Sequence, residues 1–290
     1  MGERLAHWRA SQQREYLRDQ AVPVVGTDVS QLLVRSPRPD HYLDEGQEAL
    51  HSRIRAYVRE RHIDVGRLIP LAKMYRAMGG GGLRTMSGGL AHENGWMPLR
   101  KGRRQLHWQG VAQRALLVRC ESDFRIEHVA SESVALAFPF DDHVVHLTFD
   151  VETKAVDGTI TVWEVKRDER DLADPDYRHA LAMAAEIFRR CGIRFGVIFR
   201  DEIFESRTHR ANAELFAGRA FVTVSRMHID RLEAHAMSHG AQSTYGALAE
   251  ALEPSARNFG KAVFQALVVR RRVEIDLTRR IRSDTPVIIH

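Results

Sequence analysis

The spacing of apolar residues changes along the chain, and the expected element changes with it. Glu48 to Arg61 places Leu50, Ile54 and Val58 four residues apart, the period of an amphipathic helix. Leu71 to Met78 predicts a second, shorter helix, because Pro70 would break a longer one. Residues 1 to about 76 therefore read as largely helical. The segment MGGGGLRTMSGG (Met78 to Gly89) has no Gly-Lys-Ser/Thr after it to hold a phosphate, so it reads as a flexible linker.

From Leu106 the pattern becomes α/β. Gln109 to Arg119 predicts a helix with Val111, Ala115 and Val118 on one side. Strand-like runs follow at Ser133 to Phe140 and Val144 to Thr153, and Val156-Asp157-Gly158 turns the chain into the return strand TITVWEVK. Asp174-Pro175-Asp176 opens a helix with Tyr177, Leu181, Ala184, Ala185 and Phe188 on one face. Gly192 closes it, and Ile193 to Phe199 returns as a buried strand. Strand, helix and strand in that order imply a right-handed crossover and parallel pairing.

The remaining chain reads as separate. A helix is expected over Arg207 to Phe216, another over ALAEAL after Thr244-Tyr245-Gly246, and a third from Phe259 to Val268, ending in Arg270, Arg271 and Arg272. RVEIDL and TPVII are β-like, and short helices before a β-hairpin suggest a winged-helix module.

Composition changes this picture little. Hydrophobic residues make up 44% and charged residues 28% of 290, ordinary for a soluble globular protein. No apolar run is long enough for a membrane span, and the polar, charged start is not that of a secretory signal. Cys120 and Cys191 are too far apart to suggest a metal pair and read as buried thiols of a reducing cytoplasm, the expected location. A formal charge of +5 favours polyanionic partners, nucleic acid first.

The candidate chemistry lies in the hairpin. Residues two apart on a strand face the same way, so Glu164 and Lys166 point to one side and Trp163 and Val165 to the other. The return through Asp157-Gly158 brings Asp150 beside them. Hydrolysis of a phosphodiester needs hard oxygen ligands for magnesium, an activated water, and positive charge at the phosphate. Asp150 and Glu164 supply carboxylates, Val165 a carbonyl, and Lys166 the charge. A surface Glu–Lys pair on a strand is the simpler alternative, and the Asp150 hairpin with its following helix weighs against it.

Taken in order, FDV at Asp150, the Asp-Gly turn, EVK, the helix ending in glycine and GIRFGVIF resemble the PD-(D/E)XK nucleases, and among them the TnsA-type transposon endonucleases. HLTFD (His146 to Asp150) matches that family's first core strand, and the likeness runs from about Trp108 to the C-terminus. The resemblance implies an α/β, restriction-endonuclease-like core, a mixed sheet flanked by helices. A helical N-terminal region (1–100) would precede the core (101–205), and a winged-helix-like domain (206–290) would follow. It also implies cutting of double-stranded DNA at a transposon end with Mg2+, Mn2+ substituting, beside a transposase and a regulatory ATPase and without a membrane. A restriction or defence nuclease on the same core, or a catalytically silent DNA-binding assembly factor, are the alternatives.

One position departs from the family. Its glutamate on the helix before the first core strand falls on Gln113, an amide that can orient a water but adds no charge. Gln109 stands where another glutamate is often found, and Glu121 lies two turns further on. Lys101, Arg103 and Arg104, next to His107 and Trp108, suit contact with phosphates and a base. Arg270 to Arg272 suit DNA or a protein interface equally. His235 and His239 have a zinc-like i, i+4 spacing but no third ligand, and read as solvent-facing.

Overall fold

The computed structural model describes residues 21–25, 72–77, 82–83, 93–140 and 143–290. The expected helix at Glu48 to Arg61 lies outside these residues, as does most of the glycine-rich linker. The fold is mixed α/β: among the described residues, thirteen strands form four sheets beside six α-helices. The chain divides into two compact units, one comprising Met1–Met97, Leu106–Gln113 and Ala130–Asp201, the other Pro98–Gln105, Arg114–Val129 and Glu202–His290.

The described residues include two four-stranded sheets. One has the order β1 (Ala21–Val25), β2 (Lys73–Ala77), β6 (Val134–Phe140), β7 (His143–Thr148). The other runs β10 (Arg194–Phe199), β9 (Ile160–Lys166), β8 (Val151–Ala155), β5 (Ile126–Ser131). Two sequence expectations change here. Leu71 to Met78 is not a helix: β2 pairs antiparallel with β6, Met74 opposite Leu136, and five residues are too few for periodicity to outweigh cross-strand pairing. Ala21–Val25 is likewise a strand within the region expected to be helical.

The run Val144 to Thr153 is two strands, not one. At Phe149 and Asp150 the chain leaves the first sheet for the second: Phe149 N–H donates to Val134 (3.0 Å), and Asp150 N–H to Trp163 across in β9 (3.1 Å). The neighbouring strand makes the same switch at Glu132, whose φ is +50° and whose N–H donates to the Asp150 carbonyl (3.0 Å). Asp150 therefore lies on the seam of the two sheets.

Beneath the seam, Phe149 packs against Phe188 and Phe195 at centroid distances of 5.0 and 5.4 Å. Phe188 belongs to α2 (Pro175–Arg190), the crossover helix between β9 and β10, which pair in parallel as expected. Trp163 fills the opposite face of β9; its indole N–H donates to Thr153 Oγ1 at 3.1 Å, and its ring lies against Gly196. A Cβ at Gly196 would clash with Cζ3 of that ring. Gly196→Ala is expected to lower stability by about 1–3 kcal/mol through overpacking, read as a lower denaturant midpoint at unchanged slope.

In the second unit, α3 (Arg207–Ala217), α4 (Arg226–His239), α5 (Tyr245–Leu252) and α6 (Arg257–Val269) enclose a core that includes Phe216, Leu248 and Phe264. A three-stranded sheet accompanies them, ordered β11 (Gln242–Thr244), β13 (Pro286–Ile289), β12 (Val273–Ile275). A hairpin absent from the sequence reading, β3 (Asn94–Leu99) and β4 (Arg104–Gln109), leads into α1 (Val111–Ser122).

The bend of that hairpin is tied to the C-terminal end of α1. Lys101 donates to the carbonyls of Cys120 (3.0 Å) and Asp123, supplying positive charge at a helix C-terminus. Glu121 in return accepts the N–H groups of Arg100 (2.6 Å) and Lys101 (3.1 Å). Burial pulls the Lys101 ammonium down to about 8 despite nearby Asp123 and Glu121. Lys101 is thus an internal cap and not a phosphate contact.

Burial likewise pushes the Cys120 thiol up to about 12. Against an ordinary cysteine its thiolate population, and with it the rate of alkylation by iodoacetamide at pH 8, should be lower by about 10³-fold until the protein is denatured.

Candidate active site

At the seam the Asp150 carboxylate bonds to the backbone of β9 beside a paired Glu164 and Lys166. The antiparallel register sets Val151 opposite Trp163, and Asp150, one residue earlier, gives its N–H to the Trp163 carbonyl. Asp150 Oδ2 accepts the N–H of Val165 at 2.7 Å, which fixes the carboxylate against β9. The Trp163 carbonyl accepts Asp150 N–H on that same edge, and strand alternation turns the Val165 carbonyl the same way.

Lys166 Nζ donates to Glu164 Oε1 at 2.7 Å. The pair is largely sheltered, its side chains 16% and 9% exposed. Burial pulls the Lys166 ammonium down, but the charges of Glu164 and Asp150 outweigh it, and the net shift is upward. At neutral pH the site therefore contains a cation held between two acidic positions.

Tyr177, expected only on the apolar face of its helix, is the residue that sequence reasoning missed. Its hydroxyl donates to the same Glu164 Oε1 at 2.7 Å, and the Lys166 ammonium sits 4.7 Å from the centre of its ring. A signal was available. A crossover helix begins beside the carboxyl end of the strand it follows, so its first turn faces whatever that end carries.

Gln113 reaches Asp150 by another route. Its Nε2 donates to the Asp150 main-chain carbonyl at 2.8 Å and to Ser131 Oγ at 3.2 Å, while its Oε1 accepts Gln109 N–H. Both ends of the amide thus serve the backbone at the seam, and Gln113 is a positioning residue. A glutamate has no hydrogen to give that carbonyl. Glu132 is one hydrogen bond from Asp150, yet its carboxylate faces His107 Nδ1 at 3.3 Å. Glu121 belongs to the second unit and caps backbone there, so it does not stand in for the missing acid.

Two carboxylates and a peptide carbonyl on one edge are hard oxygen donors of the kind magnesium takes, and the remaining positions of its octahedron commonly stay with water. Asp150, Glu164 and Val165 fit such an ion in chemistry. Among the described residues no group of three or more His, Cys, Asp or Glu side chains could hold a metal, so the acids alone form no complete cage.

The basic candidates belong to the second unit. Arg103, at φ +56°, and Arg104 are exposed where the β3–β4 hairpin turns. Arg270 donates to the Val222 carbonyl at 2.8 Å, Arg271 lies 5.9 Å from the Phe124 ring centre, and Arg272 pairs with Glu233 at 3.5 Å. This run is engaged in holding its own unit together. His235 and His239 stack at 4.5 Å; His239 is exposed as expected, while His235 is half-buried with its Nε2 2.8 Å from Ser243 Oγ.

No helix among the described residues is long and apolar enough to cross a membrane. No protein-family model matches the chain, and no curated protein matches it.

Proposed function

We propose that this chain is a magnesium-dependent DNA endonuclease with a PD-(D/E)XK core, cutting at a transposon end in company with a transposase and an ATPase. The observation that carries the reading is the Asp150 carboxylate bonded to the N–H of Val165, the residue between Glu164 and Lys166, which are paired to each other. The antiparallel β8–β9 hairpin and the parallel β9–β10 crossover support the same core. In the second unit the order α4, β11, α5, α6, β12, β13, with the three strands in one sheet, supports a winged-helix reading. The transposition context rests on the sequence resemblance.

In this reading Asp150 and Glu164, with the Val165 carbonyl, hold Mg2+. The ion supplies Lewis-acid polarisation of the phosphate and an activated water. Lys166 orients that water or meets the charge that develops on the phosphoryl oxygens, where a fixed ammonium in a sheltered site is most effective. Gln113 and the Glu132 N–H hold the Asp150 backbone so that its carboxylate needs no reorganisation.

The test is calorimetric titration of the full chain with Mg2+ and Mn2+, followed by nicking of supercoiled DNA with the partner proteins supplied. Wild type should bind the ions and nick, and Asp150→Asn should do neither. Undiminished nicking by Asp150→Asn, or a wild type that binds neither ion, would remove the reading.

A further inference from the structure

We infer that Tyr177 is a positioning residue of the site, which sets the orientation of the Glu164 carboxylate and the place of the Lys166 ammonium; this rests on the nuclease reading above. Its backbone is fixed first. Asp174 caps α2, its Oδ1 accepting the N–H groups of Asp176 (2.9 Å) and Tyr177 (3.4 Å), so Tyr177 enters the site from a capped first turn. The side chain then makes two different contacts. The hydroxyl donates to Glu164 Oε1 and the ring face receives Lys166, which itself donates to Oε1.

Carboxylate, ammonium and phenol form a closed triangle. Packing alone does not account for it, because a phenylalanine would fill the same space and leave Glu164 tethered by Lys166 only. A carboxylate tethered at one point follows its lysine, a flexible side chain of four methylenes. With both donors on Oε1 the carboxylate is fixed in its plane, and Oε2 is the oxygen offered to a cation. The ring restrains the ammonium independently, since a cation over an aromatic face is attracted without a hydrogen bond.

The two functions of the phenol separate by substitution. Tyr177→Phe keeps the ring and removes the donor, so the apparent affinity for Mn2+ measured by calorimetry should fall by about 10-fold, the loss typical of removing a group that orients a metal ligand. At saturating Mg2+ its maximal nicking rate should fall by less than that of a variant lacking the ring, because the ring still restrains Lys166. Tyr177→Leu removes both contacts, so ion affinity should fall as in the first variant and the maximal rate should fall as well. Thermal midpoints of the metal-free variants identify any general loss of structure.

Wild-type ion affinity in a folded Tyr177→Phe overturns the inference and leaves the nuclease reading standing. A general loss of structure in Tyr177→Phe also counts against it, since the phenol would then be serving the fold. A wild-type protein that binds neither ion overturns both.

Discussion

On the proposed nuclease reading, replacing Lys166 by alanine is expected to lower magnesium-dependent nicking by about 10³-fold, the scale on which removing one preorganised stabilising group acts, while leaving divalent-ion binding intact or tighter. The ammonium shares its 2.7 Å bond with a carboxylate that would also ligate the ion, so the lysine and the metal compete electrostatically for Glu164. Without the lysine the ion binds against less positive charge, yet the group that meets charge at the phosphate is gone. The metal-free variant should melt lower, because a mostly buried carboxylate keeps the Tyr177 hydroxyl but loses its cation. Mg2+ should then raise its melting temperature more than that of wild type, since a ligand of the folded state stabilises by mass action. Lys166→Arg should not restore nicking, because a planar guanidinium presents its charge differently from a compact ammonium. Full nicking by Lys166→Ala would reduce Lys166 to a counter-ion of Glu164.

The largest loss of stability is expected from Trp163→Ala, about 3–5 kcal/mol, the range for removing a large aromatic from a closed core. The indole is 1% exposed, gives its N–H to Thr153 and covers the backbone at Gly196. Against a usual total of about 5–15 kcal/mol, this takes much of the folding free energy. The same contact predicts an interaction between sites. With the indole gone, a methyl at residue 196 meets space, so Gly196→Ala should cost little or add stability in the Trp163→Ala background. Chemical denaturation of the two single variants and the double variant completes the cycle, and strict additivity would show that Gly196 is small for some other reason.

The hairpin and the crossover were readable because alternation over β9, the Asp-Gly turn and the capped helix after Asp174 all demand the same local structure. The pairing of Glu164 with Lys166 followed from the two-residue repeat of a strand. The seam was not readable. Val144 to Thr153 alternates well enough for one strand, and nothing in it states that Phe149 and Asp150 bond to different sheets; that depends on β6 and β9, which are distant in sequence. For Leu71 to Met78 the chain was too short for its period to decide, and pairing with β6 decided it. Tyr177 was hidden for a different reason. A tyrosine among leucines and alanines on a helix face reads as core, and only its place in the first turn sets its hydroxyl beside Glu164.

Asp150 takes its backbone partners from both layers, Trp163 in one and the Glu132 corner that leads into the other. The gap between the two acidic oxygens is therefore tied to the splay angle of the layers as well as to the local hairpin. Substitutions well away from the chemistry, along β2 or β6, would act as adjusting screws on that gap. On the proposed reading, such a joint would let ion preference shift with neither acid replaced.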